Sequence, residues 1–190
     1  MADATLAQPV PDTLDWEHPV VVSAWSPQLR AGLRRLWERR HQVLDAGRAL
    51  PRTICHHDVW ALNLIGAKRG PVLLDWTFVG PGAIGGDAAN LALDGFLDGL
   101  LDLSLIDEVI ETVAEAYTRG MRGTVRPDDV RRAIRVTGTS RFFWLAPRMV
   151  ASVGGPVTTN GYTYDTRDLA ERFAARAPIL HRLAAWADDL

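Results

Sequence analysis

Along most of the chain apolar residues recur at helical spacing, and one central region breaks that rhythm into short extended runs. From Gln28 to Gly47, Leu29, Leu33, Leu36, Trp37, Val43 and Leu44 fall three, four or seven positions apart among arginines, which predicts an amphipathic helix. Ser26 and Pro27 supply its cap and first turn, and Gly47 its stop. Pro51 resets the chain, after which Thr53–Cys55, Leu64–Ile65 and Pro71–Leu74 read as short strands. The glycine-dense stretch Gly80–Gly86 predicts a loop, with Asp87 capping a helix that carries Leu91, Leu93, Phe96, Leu97 and Leu100. Further helices are predicted over Leu105–Arg119, over Pro127–Val150 with a break near Pro147, and over Asp165–Ala187. Gly154–Tyr164, rich in Gly, Thr and Tyr, separates the last two.

This order predicts a mainly α fold with a small β element (α+β) that holds a loop. It lacks the repeated βαβ units of a doubly wound sheet. Residues 1–26 hold Pro9, Pro11 and Pro19 with no sustained period, so they are expected to be an extended segment or linker before one domain over 27–190.

Composition narrows the choice of function. A formal charge of −2 over 190 residues argues against a nucleic-acid partner, which needs a basic face. No apolar run approaches the roughly 18 residues that span a bilayer, and the first residues have neither a basic nor an apolar leader region. A single cysteine, Cys55, excludes an internal disulfide or a multi-cysteine zinc site. The expected setting is soluble, reducing and cytoplasmic, with no membrane partner.

The central region concentrates chemistry. His56-His57-Asp58 is followed by Asn63 five positions after the aspartate, and the predicted strand Val72–Leu74 delivers Asp75 twelve positions after that. Phosphoryl transfer to a hydroxyl needs a carboxylate near the attacking oxygen and oxygen ligands for a magnesium ion that offsets phosphate charge. Asp58 suits the first task. Asn63 and Asp75 suit the second, since a hard cation prefers oxygen.

These residues resemble the aminoglycoside phosphotransferase and choline kinase family, relatives of the protein kinases. His56, Asp58 and Asn63 match its His-x-Asp-x-x-x-x-Asn catalytic loop, and Leu74-Asp75-Trp76 its metal-binding segment. Asp87-Ala88-Ala89 stands at the offset of a further family aspartate that opens a helix. The resemblance implies that Asp58 is the catalytic base or orients the acceptor, and that Asn63 and Asp75 hold Mg²⁺ and, through it, ATP. It implies that His56 and Asp87 support the loop. The acceptor would be a small-molecule hydroxyl.

Two departures accompany the match. His57, Trp60, Ala61 and Leu62 fill loop positions where the family commonly has other residues, and Gly82-Ala83-Ile84 replaces a frequent Gly-Asp-Pro. The family also has an N-terminal lobe with a phosphate-covering loop and a strand lysine. Only 55 residues precede His56, none of them lysine, and Lys68 follows the loop. The expectation is a C-terminal lobe without its nucleotide lobe, weak or inactive alone. Three readings stay open: part of a longer enzyme, one half of a split enzyme whose other lobe a partner chain supplies, or a non-catalytic binding or assembly module. A bare catalytic face would favour self-association. Keeping Asp58, Asn63 and Asp75 together favours the first two, since a scaffold needs no such set.

Other features have blander readings. Gly80–Gly85 fits Gly-x-Gly-x-x-Gly, yet no βαβ unit follows, so a loop is expected rather than a dinucleotide site. Cys55 next to His56 would point to the opposite face of a strand, which suits a buried inert thiol. The acidic run from Asp94 to Glu111 is expected to be a solvated helix face. Trp144, Tyr162 and Tyr164 are candidates for an acceptor pocket, although a helical tryptophan is more often core.

Overall fold

The structure is a computed structural model and describes residues 10–153 and 165–190. Its first elements are α1 (Pro19–Ala24), α2 (Pro27–Glu38), α3 (Arg40–Arg48), β1 (Arg52–Cys55), β2 (Leu64–Ala67), β3 (Gly70–Leu73) and β4 (Gly80–Ala83). Then come α4 (Gly86–Leu97), α5 (Ile106–Gly120), α6 (Pro127–Phe142), α7 (Leu145–Val153) and α8 (Leu169–Asp188). Short 3-10 turns lie at Ala61–Asn63, Trp76–Phe78 and Leu103–Leu105. The fold is mainly α with small β elements, and it divides into two compact units, Met1–Asp45 with Thr139–Leu190, and Ala46–Gly138.

In the first unit the chain enters through a helix where residues 1–26 read as extended. The His18 ring Nδ1 accepts from the Val20 N–H at 3.3 Å, Pro19 fills the first turn of α1, and Val21 is fully buried. A proline in a first turn gives up no helical hydrogen bond, so the prolines that read as breakers here permit a helix. Ser26 Oγ then accepts from Leu29 N–H at 3.2 Å and opens α2. The predicted helix to Gly47 is split at Arg39, whose guanidinium reaches the Ala187 carbonyl at 3.0 Å near the end of α8.

Both α1 and α2 pack on α8. Trp25 stacks on Phe173 with ring centroids 4.8 Å apart, and its indole N–H donates to the Phe173 carbonyl at 2.9 Å. Phe173 is completely buried, so replacing it with alanine would cost about 3–5 kcal/mol. A Cβ on Gly32 would lie 3.2 Å from that of Ala184, which is why α2 carries a glycine there. Helix α8 starts later than Asp165. Asp168 caps it, accepting from Glu171 N–H at 2.8 Å while Glu171 bonds back, and Asp165 is taken up by Arg167 and Arg176. The expected break near Pro147 falls instead at residues 143–144, and Pro147 sits in the first turn of α7.

In the second unit α4 packs on α5, and Ala88, Ala89, Ala114, Val130 and Ile134 form a small-residue core. Gly85 makes the corner before α4 at φ +80°, where a Cβ would stand 2.8 Å from the Ile134 nitrogen. The glycine-dense stretch expected to be a loop begins as a strand. β4 pairs antiparallel with β1 in the register Thr53↔Gly82 and Cys55↔Gly80. Main-chain pairing needs no side chain, and a Cβ on Gly82 would lie 2.5 Å from Cys55 Sγ and 2.7 Å from the His57 ring.

β2 and β3 form a separate antiparallel hairpin, Leu64↔Leu73 through Ala67↔Gly70, with Lys68 and Arg69 at its turn. Among the described residues no helix is long and apolar enough to cross a membrane.

Candidate active site

The loop between β1 and β2 is held from below by the start of α4. Both carboxylate oxygens of Asp87 accept main-chain N–H groups, from His56 to Oδ2 and from His57 to Oδ1, each at 2.8 Å. Those two donors have no strand partner where the chain leaves β1, and His57 has a left-handed backbone at φ 68°. Asp87 is therefore the loop's anchor. The cap expected of it belongs to Gly85 instead. One turn further along α4, the fully buried Asn90 donates from Nδ2 to the Val59 carbonyl at 2.8 Å. Its Oδ1 is buried without a hydrogen-bond partner, so the position carries a polar cost for the sake of that one bond.

His56 ties the loop to the next segment. Its Nδ1 accepts from the Asp58 N–H at 3.2 Å, which leaves the proton on Nε2, and Nε2 donates to the Leu74 carbonyl at 2.8 Å. The ring meets Trp76 edge-on with centroids 4.8 Å apart, and His56 is almost completely buried.

Asp58 and Asn63 meet directly. The Asn63 amide nitrogen donates to the Asp58 main-chain carbonyl at 2.9 Å and to Asp58 Oδ2 at 2.8 Å. Both amide hydrogens are committed to Asp58, which turns the Asn63 Oδ1 away from it. The Leu74 N–H donates to the Asn63 carbonyl at 2.8 Å and extends the hairpin pairing by one step, so Asp75 follows at the root of the hairpin beside Asn63.

Asp75 itself is left-handed at φ 52°, a conformation that non-glycine residues adopt sparingly and that clusters at functional sites. Its Oδ1 accepts from the Thr77 hydroxyl at 2.6 Å and from the Thr77 N–H at 3.3 Å. These bonds, the hydroxyl's first, hold the exposed Asp75 carboxyl below the usual carboxylate range.

Loop, hairpin root and α4 start thus bring together Asp58, Asn63, Asp75, His56 and Asp87. Sequence reasoning missed three contributors: Asn90, Gly82 and Thr77. Asn90 had a signal, a polar residue three positions after Asp87 in an otherwise apolar helix start. Thr77 had the two-residue spacing of an Asx turn. The Leu74 carbonyl that His56 grips had none, because a main-chain acceptor leaves no mark in sequence.

Asn63 Oδ1 and an ionised Asp75 are two oxygen donors, the number of protein ligands Mg²⁺ takes when phosphates and water complete its shell. Among the described residues no group of three or more His, Cys, Asp or Glu is placed to hold a metal. The donor set therefore fits magnesium shared with a phosphate rather than a closed structural site.

Cys55 is buried, and its thiol is pushed up to about 11 by burial first and the Asp87 charge second. It is no nucleophile at neutral pH.

Trp144 belongs to the other unit, where it is partly exposed. Its indole N–H donates to the Arg141 carbonyl at 2.6 Å, and the Arg148 guanidinium lies 5.0 Å over its ring. Tyr162 and Tyr164 lie outside the described residues.

Residues 3–127 match the Phosphotransferase enzyme family (APH). No curated protein matches the chain. The crystal structure of a choline/ethanolamine kinase family protein from Mesorhizobium loti, at 2.55 Å resolution, is 19% identical with a TM-score of 0.45. That alignment takes in 100% of this chain and 57% of the other, so the chain spans a little over half the length of that protein. With about two thirds of its residues matched, the segment from His56 to Asp87 included, the chain belongs to the phosphotransferase enzyme family.

Proposed function

We propose that Ala46–Gly138 carries the acceptor and metal side of a site that moves the γ-phosphoryl of ATP to a small-molecule hydroxyl. The observation that supports this best is the double hydrogen bond from Asn63 to Asp58 beside an ionised Asp75. It separates two tasks that would interfere if one residue performed both.

In this reading Asp58 receives the acceptor. Asn63 engages Oδ2 only, so the carboxylate keeps lone pairs to orient the hydroxyl and take its proton. The hydroxyl oxygen bonds to the γ-phosphorus as the bond to the bridging oxygen breaks, ADP departs, and the hydroxyl proton passes to Asp58. Asn63 Oδ1 and Asp75 would hold Mg²⁺, which neutralises phosphate charge when bound. Main-chain bonds to Asp87, Asn90 and the His56 ring fix the loop, so that its groups need little reorganisation.

The test is transfer of label from γ-labelled ATP to a panel of amino-alcohol and aminocyclitol hydroxyls in the presence of Mg²⁺. Label should reach an acceptor slowly with the parent chain, as expected of a chain that is weak alone, and fall by a further factor of about 10² or more with Asp58→Asn, the scale of a lost general base. Transfer undiminished in Asp58→Asn would overturn the assignment.

A further inference from the structure

The chain turns from β4 into α4 at one tightly built corner. Beyond the last pair of the β1–β4 ladder, the Ile84 N–H still reaches the Pro51 carbonyl at 2.9 Å. Gly85 is the first residue past that pairing. It is left-handed at φ +80°, and its carbonyl accepts from the Ala89 N–H at 2.8 Å as the helix begins. The main chain of α6 closes its Cβ side, with the Ala133 carbonyl carbon 2.9 Å from where that atom would lie. The Gly85 N–H has no ladder partner, and a side chain from another helix takes it. The Tyr117 phenol oxygen, on α5, accepts it at 3.1 Å across 32 positions of sequence.

Packing alone does not call for that oxygen. Tyr117 is half-buried against the core of Ala88, Ala89, Ala114, Val130 and Ile134, a place that phenylalanine would also fill. A hydroxyl drawn out of water costs free energy unless it is hydrogen-bonded. Burial, before any other cause, holds this phenol above its ordinary range, so at neutral pH it is an uncharged acceptor.

We infer that Tyr117 positions the loop that carries Asp58, and is thereby a positioning residue of the proposed phosphotransfer site. Three short links connect them. Tyr117 holds Gly85, and Gly85 opens α4. Asp87, in the first turn of that helix, accepts the His56 and His57 N–H groups at 2.8 Å each. Asp58 is the next residue along. The strand that leads into the loop, β1, is itself paired with β4, so the corner joins both of the loop's supports. A small shift there moves the Asp87 carboxylate against donors that β1 places, and hydrogen bonds weaken steeply off their geometry. Tyr117 touches no reacting atom and acts through Asp87. Its effect on rate rests on the phosphotransfer reading, whereas its effect on the loop is read without substrate.

The test compares Tyr117→Phe with Val113→Ala, one turn earlier on α5 and packed against the same core. In amide NMR spectra of the full chain, Tyr117→Phe should move the Gly85, His56, His57 and Asp58 signals. Val113→Ala should lower stability in urea and leave the His56 and His57 signals in place. The Gly85 amide should exchange slowly with deuterium in the parent and about tenfold faster or more in Tyr117→Phe, the scale of one lost hydrogen bond. With ATP and the labelled acceptor saturating, Tyr117→Phe should transfer label about tenfold more slowly or worse. The KM for ATP should stay the same, since misplacement penalises the reacting geometry rather than binding.

A parent chain that transfers no label would sink the phosphotransfer reading, and the amide shifts would still decide whether Tyr117 sets the loop. His56 and His57 signals that stay put in Tyr117→Phe would contradict the inference. So would equal displacement by Val113→Ala, which would make Tyr117 ordinary packing, or an undiminished rate in Tyr117→Phe beside an active parent.

Discussion

The imidazole Nε2 of His56 donates to the main-chain carbonyl of Leu74 at 2.8 Å, across eighteen positions of sequence. The bond fastens the loop that carries Asp58 to the residue before Asp75, so that the two carboxylates share one frame. With Nδ1 already accepting from the Asp58 N–H, the ring is committed on both sides. A histidine used this way positions its neighbours and transfers no proton.

Asp87 should matter to stability more than its partial exposure suggests. Asp87→Ala strands the N–H groups of His56 and His57, and each unsatisfied donor costs about 1–3 kcal/mol when water cannot replace the partner. Urea unfolding should show a loss of about 2 kcal/mol or more. A loss below about 0.5 kcal/mol, the range of ordinary surface changes, would mean that solvent reaches those groups freely.

Two glycines in the same segment should respond in opposite ways. Gly82→Ala pushes a methyl to within 2.5 Å of Cys55 Sγ and 2.8 Å of its Cβ, and such overpacking costs about 1–3 kcal/mol. Gly86→Ala, on the first turn of α4 with nothing within 4 Å, should be neutral or slightly stabilising. Thermal melts of the pair check the local packing, and equal effects would contradict it.

The helical periods were legible because α2 and α5 each bury one face, and the grouping of Asp58, Asn63 and Asp75 in one segment was legible because residue type and spacing both constrain it. What stayed hidden is main-chain in origin. β4 pairs through groups that every residue carries, and its glycines answer to Cys55 and His57 rather than to a local rule. α1 hid behind prolines, and the capping role read for Asp87 was a local inference that the His56 and His57 N–H groups override from thirty positions away. Hairpin exposure is likewise invisible to periodicity, since Ile65 and Val72 look like core residues in sequence.

Cys55 predicts a pH dependence at the alkaline end. Its thiol rises from 9.0 to about 11 in the folded chain, through burial first and then the Asp87 charge. A raised value means that folding favours the protonated thiol, so this contribution is whole below pH 9 and is lost as pH climbs toward 11. Cys55→Ser should flatten that decline in urea unfolding. At pH 8 the folded parent should react with a thiol reagent far more slowly than the unfolded one, and equal rates would contradict the burial.

Asp75 acts at the acid end. Its carboxyl is depressed chiefly by the Thr77 hydroxyl, so its contribution is present above the ordinary aspartate range and is lost as pH falls through the lowered value. In Thr77→Val the titration of Asp75, followed by carboxyl-carbon NMR, should move upward toward the ordinary aspartate value. No movement would show that the 2.6 Å hydroxyl bond does not set it.

On the proposed function Asn63 and Asp75 share one cation beside Asp58, and manganese makes that visible as a paramagnetic stand-in for magnesium. In NMR spectra of the full chain with Mn²⁺ and ATP added substoichiometrically, the Asn63 side-chain amide and the main-chain amides of Asp75, Trp76 and Thr77 should broaden before other signals. In Asp75→Asn that broadening should disappear while the hairpin shifts stay in place. Broadening centred elsewhere, or unchanged in Asp75→Asn, would contradict the account.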